Sequence, residues 1–299
     1  MKLAKAIQEK VDALTDVPDA WARGVMKLQP SILLRLQKLT AALTTDANGV
    51  IVMDVANLAR VDTIIADLQR FLSASDYRGL VAGLADEFTL QQTRTIAYFE
   101  AASGIAPTVS TFASASYAKS ATASISNIAL NVPTVYLTEP IRNSLLEGIS
   151  TGSSYSDLLT NIQTIVTGSD TVEGNLLRYS RQIVSDSLAI TDRQFTGIIA
   201  DDLGLEWYLY AGGKMKTTRC FCDVRNGLYF HYKEIEGWGR GEGVGSCGFP
   251  WAGMYSGTNE STIFAFVGGY NCQHSLLPVS EAIVPDADIQ KAKLKGYIS

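Results

Sequence analysis

Apolar residues recur at intervals of three and four along most of the N-terminal two-thirds of the chain. Spacing of this kind places apolar side chains on one side of an α-helix. Pro30-Ser31 is typical of a helix start and Asn48-Gly49 of a helix end, and Asp76 is a plausible N-cap further along. The pattern predicts three packed helices within residues 1–102. Their apolar stripes are Ile32, Leu36, Leu39, Leu43, then Leu58, Val61, Ile65, Leu68, Leu72, then Tyr77, Leu80, Leu84, Phe88.

Charged residues almost disappear between Ser103 and Asn127, where Ser, Ala and Thr dominate and Lys119 carries the only charge. One interpretation is a surface of small residues that packs closely against a partner. The alternative is a loop or a tightly packed helix within the same protein. In both cases the change of composition predicts a domain boundary, with residues 103–135 as a connecting segment.

Helical periodicity resumes after Pro140. Apolar stripes predict one helix beyond this proline, a second that follows Ser156 and ends at Gly168, and a long third helix from about Thr171 to Asp201. The residues that define them are Ile141, Leu145, Ile149, then Leu158, Leu159, Ile162, Ile165, then Leu176, Leu177, Ile183, Leu188, Ile198.

The period changes after residue 204. Leu205–Tyr210 is rich in aromatic residues and predicts a strand. Two more strands are predicted at Arg219–Val224 and Leu228–Tyr232, joined by a hairpin turn at Asn226-Gly227. A further short strand is predicted at Thr262–Val267. Residues 237–257 are glycine-rich and predict a long irregular loop, a feature that often binds a ligand.

Together these elements predict an α+β fold that is mainly α, in which a helical bundle is followed by a small C-terminal β-rich domain with a Cys/His cluster. The predicted regions are an N-terminal helical region (1–102), a Ser/Ala/Thr-rich connecting segment (103–135), a helical region with a long helix (136–204), and the small Cys/His domain with its glycine-rich loop and C-terminal tail (205–299).

Composition narrows the function classes. The 299 residues carry a net charge of −5, which disfavours non-specific nucleic-acid binding. Only 18% of the residues are charged, so we expect neighbours to cover part of the surface. The N-terminus lacks the apolar run of a secretory signal, and no run approaches the length of a membrane span. We therefore expect no membrane partner. We also expect the four cysteines to be reduced thiols or metal ligands in preference to disulfides, because no secretory signal is found.

All four cysteines and both histidines lie between Cys220 and His274. In strands, Cys220 and Cys222 would point to one face, and Cys272 and His274 to another. Two such facing pairs would form a Cys₃His site for a structural zinc ion. The C-x-C spacing is tighter than that of common zinc sites, so a disulfide such as Cys220–Cys272 and buried free thiols remain alternatives. His231 and Cys247 are spare ligands.

Catalytic motifs offer less support. Neither a phosphate-binding loop nor a G-x-S-x-G nucleophile elbow occurs in the sequence. A Cys–His nucleophilic pair is formally available, as Cys222 with His231 or Cys272 with His274. The presence of only two histidines disfavours such a pair, and no complete catalytic set is found. We therefore expect a protein that is not an enzyme, with a Cys/His-dependent hydrolase as the alternative.

A resemblance emerges from the order of short motifs between about residues 136 and 280. The motifs are a long helix with Tyr179–Ile183, a strand with Trp207, and the segments Thr218–Cys222, Asn226–Phe230 and Gly268–His274. In this order they resemble the minor head proteins of tailed bacteriophages, the phage Mu F-like head-morphogenesis family. Two positions depart from the family pattern: His274 stands where a Cys is frequent, and Gly268-Gly269-Tyr270 replaces the usual Pro-Pro-x-His.

The resemblance implies a structural virion protein that lies at or near the portal vertex and assists head assembly or genome delivery. It implies the phage portal protein as a partner, with the major capsid or scaffold protein as further partners in a symmetric assembly. The expected location is the virion, in the head or the head–tail connector region, after synthesis in the host cytoplasm. A neck, adaptor or capsid decoration protein is the alternative within the virion.

Overall fold

The computed structural model describes residues 3–104, 106–213 and 216–299. Helices dominate, and a small antiparallel sheet lies near the C-terminus, so the predicted mainly-α α+β class is confirmed. None of the described helices is both long and apolar enough to cross a bilayer. The longer helices are α1 Leu3–Thr40, α2 Val55–Ala74, α3 Asp76–Ser103, α4 Thr111–Ser126, α5 Glu139–Thr151, α6 Tyr155–Thr167 and α7 Asn175–Asp202.

The chain forms two compact units, each assembled from segments that are distant in sequence. The first comprises Met1–Val17, Glu87–Thr122 and Ser185–Ser299, and the second Pro18–Asp86 and Ala123–Val184. This division differs from the four consecutive regions that the sequence predicts. The difference arises because α1, α3 and α7 each contribute residues to both units, a relation that composition along the chain does not reveal.

Helix α1 contradicts the predicted helix start at Pro30-Ser31. It runs without interruption through Pro18 and Pro30. A proline inside a helix removes one hydrogen bond and costs about 3 kcal/mol. The apolar stripe around Pro30 is long enough to offset this cost, since Val25, Ile32 and Leu36 are all almost completely buried.

The remaining stripes of the second unit agree with prediction at most positions. Helix α2 buries Val61, Ile65, Leu68 and Leu72, as expected, but Leu58 is 40% exposed. Helix α6 buries Leu158 and Ile162, whereas Leu159 and Ile165 are only partly buried. Helix α5 buries its three predicted positions completely, and α6 ends at Gly168. The predicted N-cap Asp76 is instead the first residue of α3, because the hydroxyl of Ser75 accepts the hydrogen bond from the Tyr77 amide at 3.2 Å.

The Ser/Ala/Thr-rich segment is mostly helical. Within the first unit, α4 buries Ala113, Tyr117 and Ala121. The Tyr117 hydroxyl donates to the carbonyl oxygen of Phe88, so the helix is anchored within that unit. After α4 the chain continues as two π-helical segments, Asn127–Asn131 and Thr134–Thr138, which flank Pro133. Of the two interpretations of the small residues, tightly packed helix is the one observed.

The C-terminal sheet has three antiparallel strands in the order β2-β1-β3. Strand β1 is Trp207–Ala211, close to the predicted strand, and it pairs with β2 Tyr229–His231 and β3 Ser275–Val279. The predicted strands at 219–224 and 262–267 are wrong. They form the short helices α8 Cys220–Asp223 and α10 Ile263–Phe266. The other small helices are α9 Tyr232–Gly239 and α11 Asp286–Leu294.

Asn226-Gly227 forms a turn, but the predicted hairpin is wrong because its first strand is the helix α8. The turn instead returns the chain to β1. The Gly227 amide donates to the Tyr210 carbonyl at 2.8 Å, and the Tyr210 amide donates to the Leu228 carbonyl at 2.9 Å. The Asn226 side chain accepts from the Gly212 amide at 3.1 Å. Gly227 has the positive φ, +83°, that the Asn-Gly motif predicts.

Replacing Gly227 with Val tests this turn. The added side chain would meet no atom within 4 Å, so the cost is conformational alone. A β-branched residue at positive φ should lower the free energy of unfolding by about 1–3 kcal/mol. Gly227→Asn is the matched control, because Asn tolerates the left-handed region, and should lose much less. Urea denaturation of both variants measures the difference; equal losses would contradict the strained-turn assignment.

The glycine-rich segment 237–257 is less irregular than predicted. Helix α9 extends into it as far as Gly239, and Gly245–Cys247 forms a 3₁₀ turn. Arg225 holds this part of the chain in place: its guanidinium donates to the carbonyls of Phe221 and Gly243, both at 2.9 Å. The same guanidinium stacks 4.6 Å from the ring centre of Trp238. The segment contributes Trp238, Val244 and Trp251 to the C-terminal core, while most of its other residues are exposed.

Candidate functional site

Three of the predicted ligands meet in one buried cluster. Cys222 comes from α8, and Cys272 and His274 lie in the segment that leads into β3. One ligand atom from each lies within 4.8 Å of the others, and the two sulfur atoms are 3.7 Å apart. All three residues are at most 4% exposed. Two thiols and an imidazole in this arrangement could hold a metal ion.

Cys220 is not part of the cluster, so the predicted Cys₃His set is corrected. It is joined by a disulfide to Cys247, one of the spare ligands, with a Cα–Cα distance of 5.5 Å. This is also a different pairing from the predicted Cys220–Cys272 bridge. The prediction assumed a strand, in which residues two apart share a face. In the helical turn α8, residues two apart are separated by about 200°, so Cys222 points inward while Cys220 is exposed.

His231, the other spare ligand, lies at the opposite end of the sheet. It pairs with Trp207 at the start of β1, whereas Ser275, next to His274, pairs with Ala211 at its end. These two positions are about 13 Å apart along the strand. His231 caps α9, accepting from the Lys233 amide at 3.4 Å. Burial lowers its pKa, although a contact with Glu206 acts in the opposite direction.

Helix α7 provides the platform for the cluster. The buried Arg193 guanidinium donates to the carbonyl oxygens of Cys272 and His274, and also to that of Ala265 at 3.2 Å. Two turns earlier, the Asp186 carboxylate accepts from the Asn271 amide at 2.6 Å. Asn271 has a φ of +55°, so this contact stabilises a left-handed bend immediately before Cys272. The two charged side chains thus fix the backbone that carries both ligands.

Glycines allow the backbone to approach the cluster from two sides. A Cβ atom on Gly268 would lie 2.2 Å from the sulfur of Cys272 and 2.7 Å from that of Cys222. A Cβ atom on Gly212 would lie 2.6 Å from the His274 ring. Any side chain at either position would displace a candidate ligand. Gly268 is therefore part of the construction of this site.

The two buried thiols share a hydrogen bond, which shifts the pKa values of both. The hydrogen bond from Cys222 lowers the pKa of Cys272 well below its usual range, and Arg193 acts in the same direction. The same hydrogen bond, together with burial, raises the pKa of Cys222. The Tyr210 hydroxyl donates to the Cys222 sulfur at 3.2 Å. Without a metal ion, these contacts favour a single thiolate, on Cys272 near Arg193. Deprotonation of both thiols requires the positive charge of a bound cation.

His274 has a buried ring nitrogen without a partner. Its Nε2 atom makes no hydrogen bond among the described residues, and the same holds for Nε2 of His231. An unpaired buried polar atom costs about 1–3 kcal/mol. What distinguishes His274 from His231 is its place beside the two thiols, where a metal ion bound through an imidazole nitrogen would orient the ring.

A cavity of about 280 Å³ adjoins the cluster. Cys222, Cys272 and His274 form one part of its wall. The other lining residues among those described are Gly213, Thr217, Thr218, Arg219, Asn271 and Gln273. The wall therefore includes a cation and several neutral polar groups, and none of these lining residues is acidic.

Sequence reasoning identified the ligands but missed their supports, Asp186, Arg193 and Gly268. Asp186 and Arg193 are charged positions seven residues apart on one predicted helix, and they therefore lie on the same face. A charged residue on the apolar face of a helix was the available signal. The partners of these two charged side chains are 72 to 85 residues away, which the local pattern cannot specify.

Comparison of the chain with protein-family models, curated proteins and solved structures gave no match.

Proposed function

We propose that this chain is a structural protein of a tailed-phage virion, a minor head protein at or near the portal vertex. The observation that carries the proposal is that the motifs of the resemblance converge in space. Tyr210 of the Trp207 strand contacts Cys222 and lies 5.4 Å from the His274 ring, measured between ring centres. The Asn226-Gly227 turn bonds to the same strand. Segments 50 residues apart thus build one centre, and each of them carries one of the motifs on which the resemblance rests.

The burial of this centre supports an architectural role. Cys222, Cys272 and His274 are at most 4% exposed and join α8 to the segment preceding β3. A nucleophile for a hydrolase must reach its substrate, but Cys272 is 4% exposed and packs against Gly268, so a substrate would have to enter through the cavity that adjoins the cluster. The hydrolase alternative has correspondingly less support. A neck, adaptor or decoration protein shares the same physical requirements and differs in location and copy number.

We further infer that the ion held by the cluster is zinc. Thiolate and imidazole ligands favour zinc among common ions, and a tetrahedral ion with bonds of about 2.3 Å places two sulfurs about 3.8 Å apart. The observed separation is 3.7 Å. The ion would supply the positive charge that holds both thiols deprotonated, and Cys222, Cys272 and His274 would hold it. Its role in this proposal is to fix the C-terminal fold.

Metal analysis tests the zinc proposal. We expect about one zinc per chain in protein purified without chelator, measured by inductively coupled plasma mass spectrometry. Cys222→Ser and His274→Ala should each lower the zinc content at least about tenfold, because each removes one of three ligands. His231→Gln is the matched control for a buried histidine and should retain the metal. Zinc-free wild-type protein would reject the proposal.

Location tests the virion proposal. The particles to examine are those produced by the phage or prophage whose genome encodes this chain, purified by density gradient and analysed by quantitative mass spectrometry. We expect the chain to be present at a copy number no greater than that of the portal protein. A much higher number would favour a decoration protein. Absence from intact particles, while the protein is abundant in the lysate, would reject a virion role.

A further inference from the structure

We propose that the fourth coordination position of the zinc ion is exchangeable and takes a small anion from the cavity beside the cluster. This inference rests on the proposed zinc site and extends it, because a purely structural zinc ion is normally closed by four protein ligands. It follows from the number of available ligands, the position of the cavity and the charge of its wall.

The chain has no further free cysteine or uncommitted histidine for the fourth position, and among the described residues no carboxylate joins the three-ligand group. It contains four cysteines and two histidines in total. Cys220 and Cys247 are joined to each other, and His231 lies at the other end of the sheet. Cys222, Cys272 and His274 are therefore the whole supply of thiol and imidazole ligands in the folded, oxidised chain. A zinc ion bound to three protein side chains completes its shell with water or another exogenous ligand.

The cavity provides the space for that ligand. All three candidate ligands line it, so an ion bound to them would face its interior. Its volume of about 280 Å³ exceeds the roughly 30 Å³ that one water molecule occupies in the liquid, which leaves room for a small molecule. Arg219, Thr217 and Asn271 line the same space and can donate hydrogen bonds.

Arg219 determines the charge of the expected ligand. Its guanidinium is half-buried, packs against Gly253 and donates to the Gly268 carbonyl at 3.3 Å. These contacts use only part of its donor capacity, since a guanidinium has five N–H groups. Because a zinc ion and Arg219 would both place positive charge at the wall of this cavity, a small anion is favoured over a neutral or cationic ligand.

Cobalt substitution with azide as the anion tests this inference on the full-length protein. Cobalt(II) in a Cys₂His site has visible ligand-field bands that respond to the fourth ligand. We expect stoichiometric cobalt binding and a saturable change of these bands on addition of azide. In Arg219→Met the azide affinity should be about fivefold weaker, whereas Arg219→Lys, which keeps the charge, should bind azide nearly as well as the wild type.

The outcomes of this titration distinguish the exchangeable fourth position from the metal site itself. Cobalt that binds but has a spectrum insensitive to saturating azide would overturn the exchangeable position and leave the metal site intact. A chain that binds no cobalt would overturn both. The titration is repeated with the Cys220→Ser/Cys247→Ser variant under reducing conditions, where a released thiol cannot serve as the fourth ligand. The azide response should persist there, and its loss would count against the inference.

Discussion

Replacing Lys10 with Met is expected to lower the free energy of unfolding by about 3–5 kcal/mol, the typical cost of removing one partner from a buried ion pair. Lys10 is completely buried in the first unit and forms an ion pair with Asp192, which is 1% exposed. Its ammonium group also donates to the hydroxyls of Thr95 at 2.7 Å and Thr196 at 3.0 Å. Burial lowers the pKa of Lys10, and only the Asp192 carboxylate opposes this effect substantially.

The variant leaves the Asp192 carboxylate buried with one hydrogen bond, from Thr95 at 2.6 Å. Its Oδ2 atom has no partner among the described residues even in the wild type. The double variant Lys10→Met/Asp192→Asn removes the unpaired charge and should recover about 1–3 kcal/mol of the loss. Lys5→Met removes an exposed i,i+4 ion pair with Glu9 and should cost less than about 0.5 kcal/mol. Chemical denaturation at neutral pH measures all four proteins.

A Lys10→Met variant as stable as the Lys5→Met control would contradict this account, because it would mean that water reaches the pair. The same would follow if the double variant recovered none of the lost stability.

The Lys10–Asp192 ion pair is not identifiable from sequence. Lys10 lies on a helix among several charged residues, and its partner is 182 positions away. Charge burial of this kind depends on tertiary contacts between α1 and α7, and a single helical stripe does not reveal it.

The sequence predicted helices well wherever an apolar stripe was long. The stripe of α5 is buried at every predicted position, and those of α2 and α6 are buried at most of theirs. Errors arose at local signals that tertiary packing overrides. Pro30 is a strong helix-start signal, yet α1 passes through it because the buried stripe continues on both sides. The mixing of distant segments within each unit depends on how the long helices pack, and the periodicity of one helix contains no such information.

The short C-terminal elements were the least predictable. Thr262–Val267 is rich in β-formers, but Ile263–Phe266 is a single helical turn. Strand β3 was not predicted; it contains Pro278, a residue type that argues against a central strand. The strand order explains why Pro278 is tolerated: β3 pairs only with β1 and therefore lies at an edge of the sheet. The Pro278 carbonyl accepts a hydrogen bond from the buried Tyr98 hydroxyl within the first unit.

For the candidate site, the residue types were informative and the geometry was not. Restricting the search to cysteines and histidines was sufficient to find Cys222, Cys272 and His274. The assignment of Cys220 to the same ligand set was wrong because it assumed a strand. Side chains repeat every two residues in a strand and every 3.6 residues in a helix. A Cys-x-Cys motif gives a shared face only in a strand. The glycines that admit the ligands could be seen in the sequence, but their role appears only when their distances to the sulfurs are known.

Replacing Gly268 with Ala is expected to abolish the site and to lower the free energy of unfolding by roughly 2–4 kcal/mol. Two effects add. Gly268 has a φ of +71°, which costs an alanine about 1 kcal/mol. The new Cβ would also lie 2.2 Å from the Cys272 sulfur, and relieving such overpacking in a buried place costs about 1–3 kcal/mol. Because the sulfur must move, zinc content should fall together with stability.

Gly257→Ala separates the two effects. Gly257 has a φ of +85°, but a Cβ there would meet nothing within 4 Å. This control should therefore show the conformational cost alone, about 1 kcal/mol, with an unchanged zinc content. Thermal denaturation and metal analysis of both variants provide the comparison. If the two variants lost equal stability and both kept their zinc, the backbone at Gly268 would not be in contact with the thiols, and the geometry on which the metal site depends would be wrong.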